Sequence, residues 1–194
     1  MTFKVKDYYF KKAKKENYLA RSIYKLEEIN QKFKIINSSD KILDLGYHPG
    51  SWTQYASNIG SLVVGIDIKP VNQKLQSVKN VQLYEADAFK IQKISDLGVE
   101  DKFDVVLSDM APNTTGIKEV DQQRSLDLVE KVFNSLEFLL KKDGNLVIKI
   151  FDSNDAQIFI RQNQKRFKEI KKLKPKSTRS ISKEFFLIGK GFVE

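Results

Sequence analysis

Four aspartates and one lysine stand where a folded chain could do chemistry. Asp44, Asp67, Asp87 and Asp109 each come at or near the end of an apolar run, and Lys149 lies inside the run GNLVIKIF. Carboxylates accept hydrogen bonds from hydroxyl and amino groups. An ammonium is costly to bury unless it is paired or functional. The aspartates therefore predict a polar binding site, and Lys149 is either part of it or reaches solvent at the strand's end.

The stretch KILDLGYHPGSW leads from an apolar run through a tight turn into a helix. Gly46 and Gly50 allow close approach of the backbone to a ligand, although the turn is neither G-x-G-x-x-G nor a P-loop. Asp67 ends the next strand and can accept from both hydroxyls of a ribose. Asp87, after the third strand, would meet an adenine edge. The pattern favours an adenosine-containing ligand with little phosphate; the alternative is a tight turn with surface aspartates.

Two other residues of this stretch have no obvious role. His48 is the single histidine and the chain has no cysteine, which excludes disulfides, thiolate zinc sites and cysteine nucleophiles. We therefore expect no metal site, and we interpret His48 as an ordinary loop residue. Trp52 either stacks on a ligand or anchors its helix in the core.

The elements around these residues alternate between strand and helix. A helix is expected over residues 7–34. Strands then alternate with helices, which predicts a mostly parallel sheet. Between the last two strands the polar stretch KPKSTRSISK replaces a helix, which predicts an antiparallel hairpin at the sheet edge. The predicted strands are KILDL, SLVVGID, NVQLYEAD, FDVVLSD, GNLVIKIF, 167–173 and 184–189, and the other predicted helices are 51–59, 121–141 and 156–167.

At 194 residues the chain is expected to form one domain over 1–194. A basic helical segment, 1–36, would precede an α/β core, 40–194. The net charge is +9, and it is concentrated at the two ends around an acidic middle. Basic ends suit a polyanion such as nucleic acid; the alternative is a solvated basic surface. With no signal peptide or membrane span in the pattern, we expect a cytoplasmic protein.

Six stretches, taken together in this order, resemble the FtsJ/RrmJ (RlmE) family of RNA ribose 2′-O-methyltransferases. They run from about Tyr18 to the end: ARSIYKLEEI, LDLGYHPGSW, GIDIKP, LSDMAPNTTG, LVIKIF and KPKSTRSISKEFF. The resemblance implies a class I S-adenosylmethionine-dependent methyltransferase (Rossmann-like) fold. In that fold a seven-stranded, mostly parallel sheet ends in an antiparallel hairpin and carries helices on both faces.

The resemblance also implies a site. Its catalytic tetrad would be Lys25, Asp109, Lys149 and Glu184; by local pattern alone, Lys25 and Glu184 look like ordinary surface residues. The methyl donor would be S-adenosylmethionine, leaving S-adenosylhomocysteine. Asp67 would hold the donor's ribose, Asp87 its adenine, and Asp109 would lie beside its methyl group. The residues expected to shape the methionine side are Gly46, Pro49, Gly50 and Trp52.

The implied substrate is ribosomal RNA, most specifically a uridine in the A loop of 23S rRNA within the large subunit. Alternatives are 2′-O-methylation of transfer RNA and a non-catalytic RNA-binding relative. Lys149 could act as a neutral base or as a cation, since nearby carboxylates favour its charged form. No membrane and no obligate protein partner are expected, and the protein is taken as a monomer. The expected RNA contacts are Lys11, Lys12, Lys14, Lys15, Arg21, Lys174, Lys176 and Arg179.

The first turn departs from the family pattern. Tyr47 and His48 stand where the family usually has small residues, and Ser51 replaces a second glycine. We expect the bulk at positions 47 and 48 to narrow the entrance to the cofactor site and so to affect cofactor affinity.

Overall fold

The computed structural model describes residues 8–193 and consists of one seven-stranded sheet with helices on both faces. The strands are β1 (Lys41–Leu45), β2 (Leu62–Asp67), β3 (Val81–Glu85), β4 (Phe103–Ser108), β5 (Leu140–Phe151), β6 (Phe167–Leu173) and β7 (Glu184–Phe192). Their order in the sheet is β3-β2-β1-β4-β5-β7-β6. The first five strands are parallel to one another, whereas β7 is antiparallel to both β5 and β6. The predicted parallel sheet with an antiparallel hairpin at its edge is confirmed.

Alternation along the strands divides the core between the two faces of the sheet. The helices are α1 (Tyr8–Lys15), α2 (Ile23–Phe33), α3 (Ser51–Ser57), α4 (Gln73–Gln76), α5 (Lys118–Leu139) and α6 (Asn154–Gln162). Val147 and Phe186 belong to the apolar cluster that includes α2 and α3 residues. Ile148 and Leu187, the next residue along each strand, belong to the cluster formed with α5 and α6. Helices therefore cover both faces, as predicted.

The prediction of one helix over residues 7–34 is wrong. The helical periodicity continues only within α2, and residues 16–22 turn the chain between α1 and α2. Asn17 has a left-handed φ of 59°, and the Tyr24 hydroxyl donates to the Glu16 carboxylate at 2.7 Å. These contacts close the turn and bring α1 back against α2. Residue 7 lies outside the described part of the chain.

Several other boundaries differ from the predicted ones. A helix over 156–167 is wrong at both ends, because the Ser153 hydroxyl accepts from the Ala156 amide at 3.1 Å and caps α6 earlier. Phe167 begins β6 instead and packs its ring 5.4 Å from that of Phe192. Helix α5 starts at Lys118 rather than at residue 121. Strand β5 begins at Leu140, before the predicted GNLVIKIF, and β7 continues past residue 189 to Phe192.

No helix among residues 8–193 combines the length and the apolar character needed to cross a bilayer.

Candidate active site

A cleft of about 490 Å³ opens at the carboxyl edge of β1, β2 and β4, where ligands of open α/β sheets bind. The strand-end carboxylates Asp67, Asp87 and Asp109 all line it, together with Gly46. Its apolar wall includes Phe89. The structure therefore brings three of the four aspartates singled out in the sequence to one cleft, and the fourth, Asp44, lines a small adjoining cavity.

Backbone amides hold two of these carboxylates in place. Asp67 accepts from the amide of His48 at 3.0 Å through one oxygen and from the amide of Lys69 at 2.9 Å through the other. Asp87 lies beyond the end of β3 and caps a short 3₁₀ turn by accepting from the Phe89 amide at 3.0 Å. A carboxylate oxygen can accept more than one hydrogen bond, so both side chains keep acceptor capacity for a ligand.

The two glycines of the first turn are required by packing. Gly46 and Gly50 have φ of 71° and 110°, which few residues other than glycine adopt. A Cβ at Gly46 would lie 2.2 Å from Met110 Cγ, and one at Gly50 would lie 2.2 Å from Leu75 Cδ1. Gly46 lines the cleft and Gly50 does not. Pro49 lines a small adjoining cavity of about 30 Å³.

Trp52 also borders that small cavity, but most of its side chain lies in the core. It is 2% exposed, its indole N–H donates to the Ser22 carbonyl at 2.9 Å, and its ring lies 5.6 Å from that of Phe186. Of the two interpretations of Trp52, the helix anchor agrees with these contacts. Ser51 is likewise buried, with its hydroxyl 2.7 Å from that of Ser22.

The expectation that Tyr47 narrows the entrance is wrong. Tyr47 is buried, and its ring lies over Gly65, where a Cβ would approach it to 2.9 Å. Its hydroxyl accepts from the Asn72 amide at 3.3 Å. The Tyr47 ring thus occupies space in the core that is open because Gly65 has no side chain. His48, in contrast, does line the cleft.

Asp109 and Lys149 meet because β4 and β5 are parallel neighbours in register. Ser108 pairs with Ile148, so the following residues on each strand lie side by side. Lys149 Nζ is 3.0 Å from Asp109 Oδ1 and donates to the Asp109 carbonyl at 2.5 Å. The lysine is only 8% exposed, and its positive charge is compensated by the Asp109 carboxylate rather than by solvent. The alternative of a lysine reaching solvent is excluded.

Lys25 and Glu184 join this pair from the other side. Lys149 pairs with Phe186 across β5 and β7, and Glu184, two residues before Phe186, shares that face of the sheet. This is the face covered by α2, and Lys25 of α2 places Nζ 2.5 Å from Glu184 Oε1. The four residues, called the tetrad below, form two ion pairs at one edge of the sheet.

Burial and charge shift the pKa of two carboxyl groups near this edge. Burial would raise the pKa of Glu184, but the positive charges of Lys25 and Lys149 outweigh it and hold that pKa below its ordinary value. Burial raises the pKa of Asp44 to about 7, despite a hydrogen bond from the Thr53 hydroxyl, and the negative charge of Asp109 adds to the rise. Glu184 is thus held charged, while the pKa of Asp44 lies far above that of an ordinary aspartate.

The basic residues of the two chain ends come together beside the tetrad. Arg21 donates to the Ser177 carbonyl, and the Lys176 amide donates to Glu28 of α2 at 2.8 Å. Burial and then the charge of Arg179 lower the pKa of Arg21. Lys11, Lys14 and Lys15 of α1 are exposed, whereas Lys12 lies over the Tyr24 ring at 4.4 Å. Lys174 donates to the Ser182 carbonyl at 2.6 Å.

Sequence reasoning missed the walls of the cleft. Phe89 and Met110 supply apolar surface, and each follows closely on a strand-end aspartate, which is the signal that could have identified them. His48 lies in the turn between β1 and α3, in agreement with its interpretation as a loop residue, and its backbone amide holds Asp67. In the described part of the chain, no cluster of three or more His, Cys, Asp or Glu side chains could hold a metal ion.

Comparison with known proteins gives concordant matches. The family model described as FtsJ-like methyltransferase matches residues 18–192. A ribosomal RNA large subunit methyltransferase E of Bdellovibrio bacteriovorus is 45% identical over 201 residues, covering 97% of this chain and 98% of the relative. Its counterpart in a Wolbachia strain from Brugia malayi is 42% identical over 187 residues, covering 96% and 85%.

Solved structures agree on the architecture. A Plasmodium falciparum protein described as a ribosomal RNA methyltransferase superposes with a TM-score of 0.77 at 25% identity, over 90% of this chain and 98% of that one. An rRNA methylase of Streptococcus thermophilus, at 13% identity and a TM-score of 0.57, shares the fold alone.

Proposed function

Because the chain belongs to the FtsJ-like methyltransferase family, we propose that it methylates a ribose 2′-hydroxyl of RNA with S-adenosylmethionine as donor. The observation that carries the proposal is the tetrad at the border of the cleft: Asp109 lines the cleft and also pairs with Lys149. The proposed target is a uridine in the A loop of 23S rRNA within the large subunit. The names of the two relatives support large-subunit RNA, and the resemblance supports the uridine.

The cleft has the chemistry that this donor requires. Carboxylates at Asp67 and Asp87 would accept from ribose hydroxyls and an adenine amino group, and Phe89 and Met110 offer apolar surface to the adenine ring. The small cavity beside Pro49 and Trp52 adjoins the cleft through Gly46 and Asp109 and would take part of the amino-acid end. The bound donor supplies a methyl group on a positively charged sulfur.

Lys149 is proposed to hold the attacking ribose oxygen. The reaction would form a bond from that oxygen to the methyl carbon while the bond from the methyl carbon to the donor's sulfur breaks, leaving S-adenosylhomocysteine, and would release the hydroxyl proton. Of the two roles considered for Lys149, the cation is favoured, because Nζ lies 3.0 Å from a carboxylate oxygen of Asp109, and a nearby carboxylate favours the charged form of a lysine. The charged form has three N–H groups, so one remains for the ribose oxygen after the two contacts with Asp109. The hydroxyl proton would then pass to a carboxylate or to water rather than to the lysine.

The ion pair between Lys25 and Glu184 is proposed to position Lys149 and the ribose. Glu184 lies on the same face of the sheet as Lys149, and its charge attracts the ammonium. The basic residues of α1 and of the 174–183 loop would hold RNA phosphates on either side of the tetrad. Such contacts position a strand without reading its sequence.

Methyl transfer with labelled S-adenosylmethionine tests the proposal. Large subunits lacking the modification, free ribosomal RNA and transfer RNA are incubated with the protein, and the labelled nucleoside is identified after digestion. We expect label on a 2′-O-methyluridine from large subunits and none with Lys149→Ala. Label on a base, or undiminished transfer by the variant, would contradict the mechanism. Label only on transfer RNA would indicate the alternative substrate, and cofactor binding without transfer to any RNA would indicate a non-catalytic relative.

A further inference from the structure

A second, larger cavity lies on the other side of the tetrad from the cofactor cleft. It encloses about 890 Å³ between the first turns of α5 and α6 and the start of β7. This α5–α6 groove is defined by Lys118, Gln122, Asn154, Asp155, Lys183 and Glu184. Asp109 borders the cleft and Glu184 borders the groove. The tetrad therefore separates two cavities at the same edge of the sheet.

The lining of the groove suits a nucleobase better than a phosphate. Its cations Lys118, Lys174 and Lys183 are matched by Glu119, Asp152, Asp155 and Glu184, so no excess of positive charge is available to a phosphate. Amide and carboxylate side chains provide both donors and acceptors. Those are the groups that hydrogen-bond to the edges of unstacked bases in RNA recognition.

Seven polar side chains of the groove are already engaged, and five have no hydrogen-bond or ion-pair partner within residues 8–193: Lys118, Glu119, Asn154, Asp155 and Lys183. Gln122 donates to the Asp152 carbonyl at 2.5 Å, and Gln157 donates to the Asp152 carboxylate at 2.7 Å. Asn154 and Asp155, the first residues of α6, are exposed, and neither side chain has a hydrogen-bond or ion-pair partner within residues 8–193. With Lys118, Glu119 and Lys183 they are the side chains of the groove free to bind a ligand, and Asn154 is the one uncharged amide among these five.

The geometry of methyl transfer directs a base to this groove. In-line attack requires the ribose oxygen to approach the methyl group from the side away from the sulfur, hence from the Glu184 side of the tetrad. The base is attached to the sugar carbon next to the one that bears the 2′-hydroxyl. We propose that the α5–α6 groove binds the base of the nucleotide being methylated, with Asn154 and Asp155 contacting its hydrogen-bonding edge; this rests on the proposed function.

Crosslinking tests the location of the base. Large subunits that contain 4-thiouridine in their RNA are bound by the full-length protein and irradiated, and the crosslinked peptides are mapped by mass spectrometry. We expect crosslinks within residues 152–157 or 118–123. Crosslinks confined to α1 and to residues 175–182, which do not line the groove, would overturn the inference. Methyl transfer is measured on the same samples, so the proposed function can stand while this inference fails.

A steric variant tests the same point by kinetics. Asn154→Trp would fill the groove, and we expect at least a tenfold rise in KM for large subunits with unchanged affinity for S-adenosylhomocysteine. Asn134→Trp, also exposed but near the other end of α5, is the matched control and should behave as wild type. Asn154→Ala is a milder change that replaces Asn154→Trp in the test if the tryptophan variant fails to fold. It should raise KM several-fold. Wild-type KM in either folded variant, or a rise seen only with Lys118→Ala and Lys183→Ala, would overturn the inference.

Discussion

Lys25 of α2 and Glu184 at the start of β7 form an ion pair at 2.5 Å although 159 residues separate them in the chain. Both side chains are largely buried, with 12% and 13% of their surface exposed. Lys25 also lies 5.5 Å from the centre of the Phe186 ring. The pair fastens the basic N-terminal helices to the edge of the sheet where the tetrad lies.

Lys25→Met tests the energetic role of this pair. The variant leaves Glu184 buried without its nearest cation, which we expect to cost about 2 kcal/mol of unfolding free energy. Because the pKa of Glu184 is lowered by Lys25 and Lys149, its contribution to stability is present above the ordinary glutamate pKa and is lost as pH falls through the lowered one. The variant should lose this pH dependence, measured by urea unfolding between pH 3 and 7.

Two controls accompany this measurement. Lys25→Met combined with Glu184→Gln should recover part of the loss, because no buried charge is then left unpaired. Lys41→Met breaks the more exposed pair with Asp101 and should cost less than about 1 kcal/mol. A cost for Lys25→Met no larger than that of Lys41→Met would contradict the role given to the buried pair.

Substitutions of Lys149 separate its two chemical roles. If the residue holds the ribose oxygen as a cation, Lys149→Arg should keep measurable transfer, whereas Lys149→Met should lose about 10²-fold or more in kcat. Single-turnover transfer to large subunits is the measurement, and binding of S-adenosylhomocysteine checks that the cleft is intact. Equal inactivity of the two variants, with intact cofactor binding, would favour the neutral base.

Asp67→Ala should weaken binding of the cofactor more than binding of the RNA. The change removes the proposed acceptor for the ribose hydroxyls and leaves the His48 and Lys69 amides without their partner. We expect about tenfold or greater loss of affinity for S-adenosylhomocysteine by calorimetry. Glu130→Gln, an exposed carboxylate on α5, serves as control. Unchanged affinity in Asp67→Ala would remove Asp67 from the cofactor site.

Asp44 should make stability fall as pH rises towards neutrality. Its pKa is raised from an ordinary 3.8 to about 7, so the folded state binds a proton that the unfolded chain releases above about pH 4. The stabilisation is complete below pH 4 and is lost as pH rises through 7. Asp44→Asn can still accept from Thr53. As pH rises from 5 to 8, its free energy of unfolding should therefore increase by about 3 kcal/mol relative to that of wild type.

Urea unfolding at several pH values measures this effect, with Glu130→Gln as the exposed control. A difference between wild type and Asp44→Asn that does not change with pH would show that Asp44 remains charged throughout.

The exposed lysines of α1 should determine part of the salt dependence of RNA binding. Replacing Lys11, Lys14 and Lys15 with alanine should weaken binding of ribosomal RNA. The slope of log affinity against log salt should fall by about 0.7 to 0.9 for each lysine that contacts a phosphate. Replacing Lys74, Lys79 and Lys90, exposed on the acidic part of the chain, matches the charge change and should leave the slope unchanged. Equal effects of the two triple variants would indicate general charge attraction rather than a binding surface at α1.

Local sequence pattern was enough to predict which strands carry Asp44, Asp67 and Lys149. The strands that end at or near Asp44 and Asp67 are short and apolar, and the run GNLVIKIF within the longer β5 carries Lys149. The failures lie where tertiary contacts override local periodicity. The turn after α1 is closed by Tyr24 and Glu16, and Phe167 joins β6 because it packs with Phe133 and Phe192.

The sequence by itself determined the α/β alternation, the edge hairpin and the strand-end aspartates, because these follow from periodicity and from residues close together in the chain. Only the tertiary structure decided that Lys149 is paired, that Tyr47 fits over Gly65, and that Trp52 lies mostly in the core. Lys25 and Glu184 carry no local signal, since their meeting depends on strand register and on the packing of α2. Such contacts join distant segments, and no short window of sequence contains the partners that fix them.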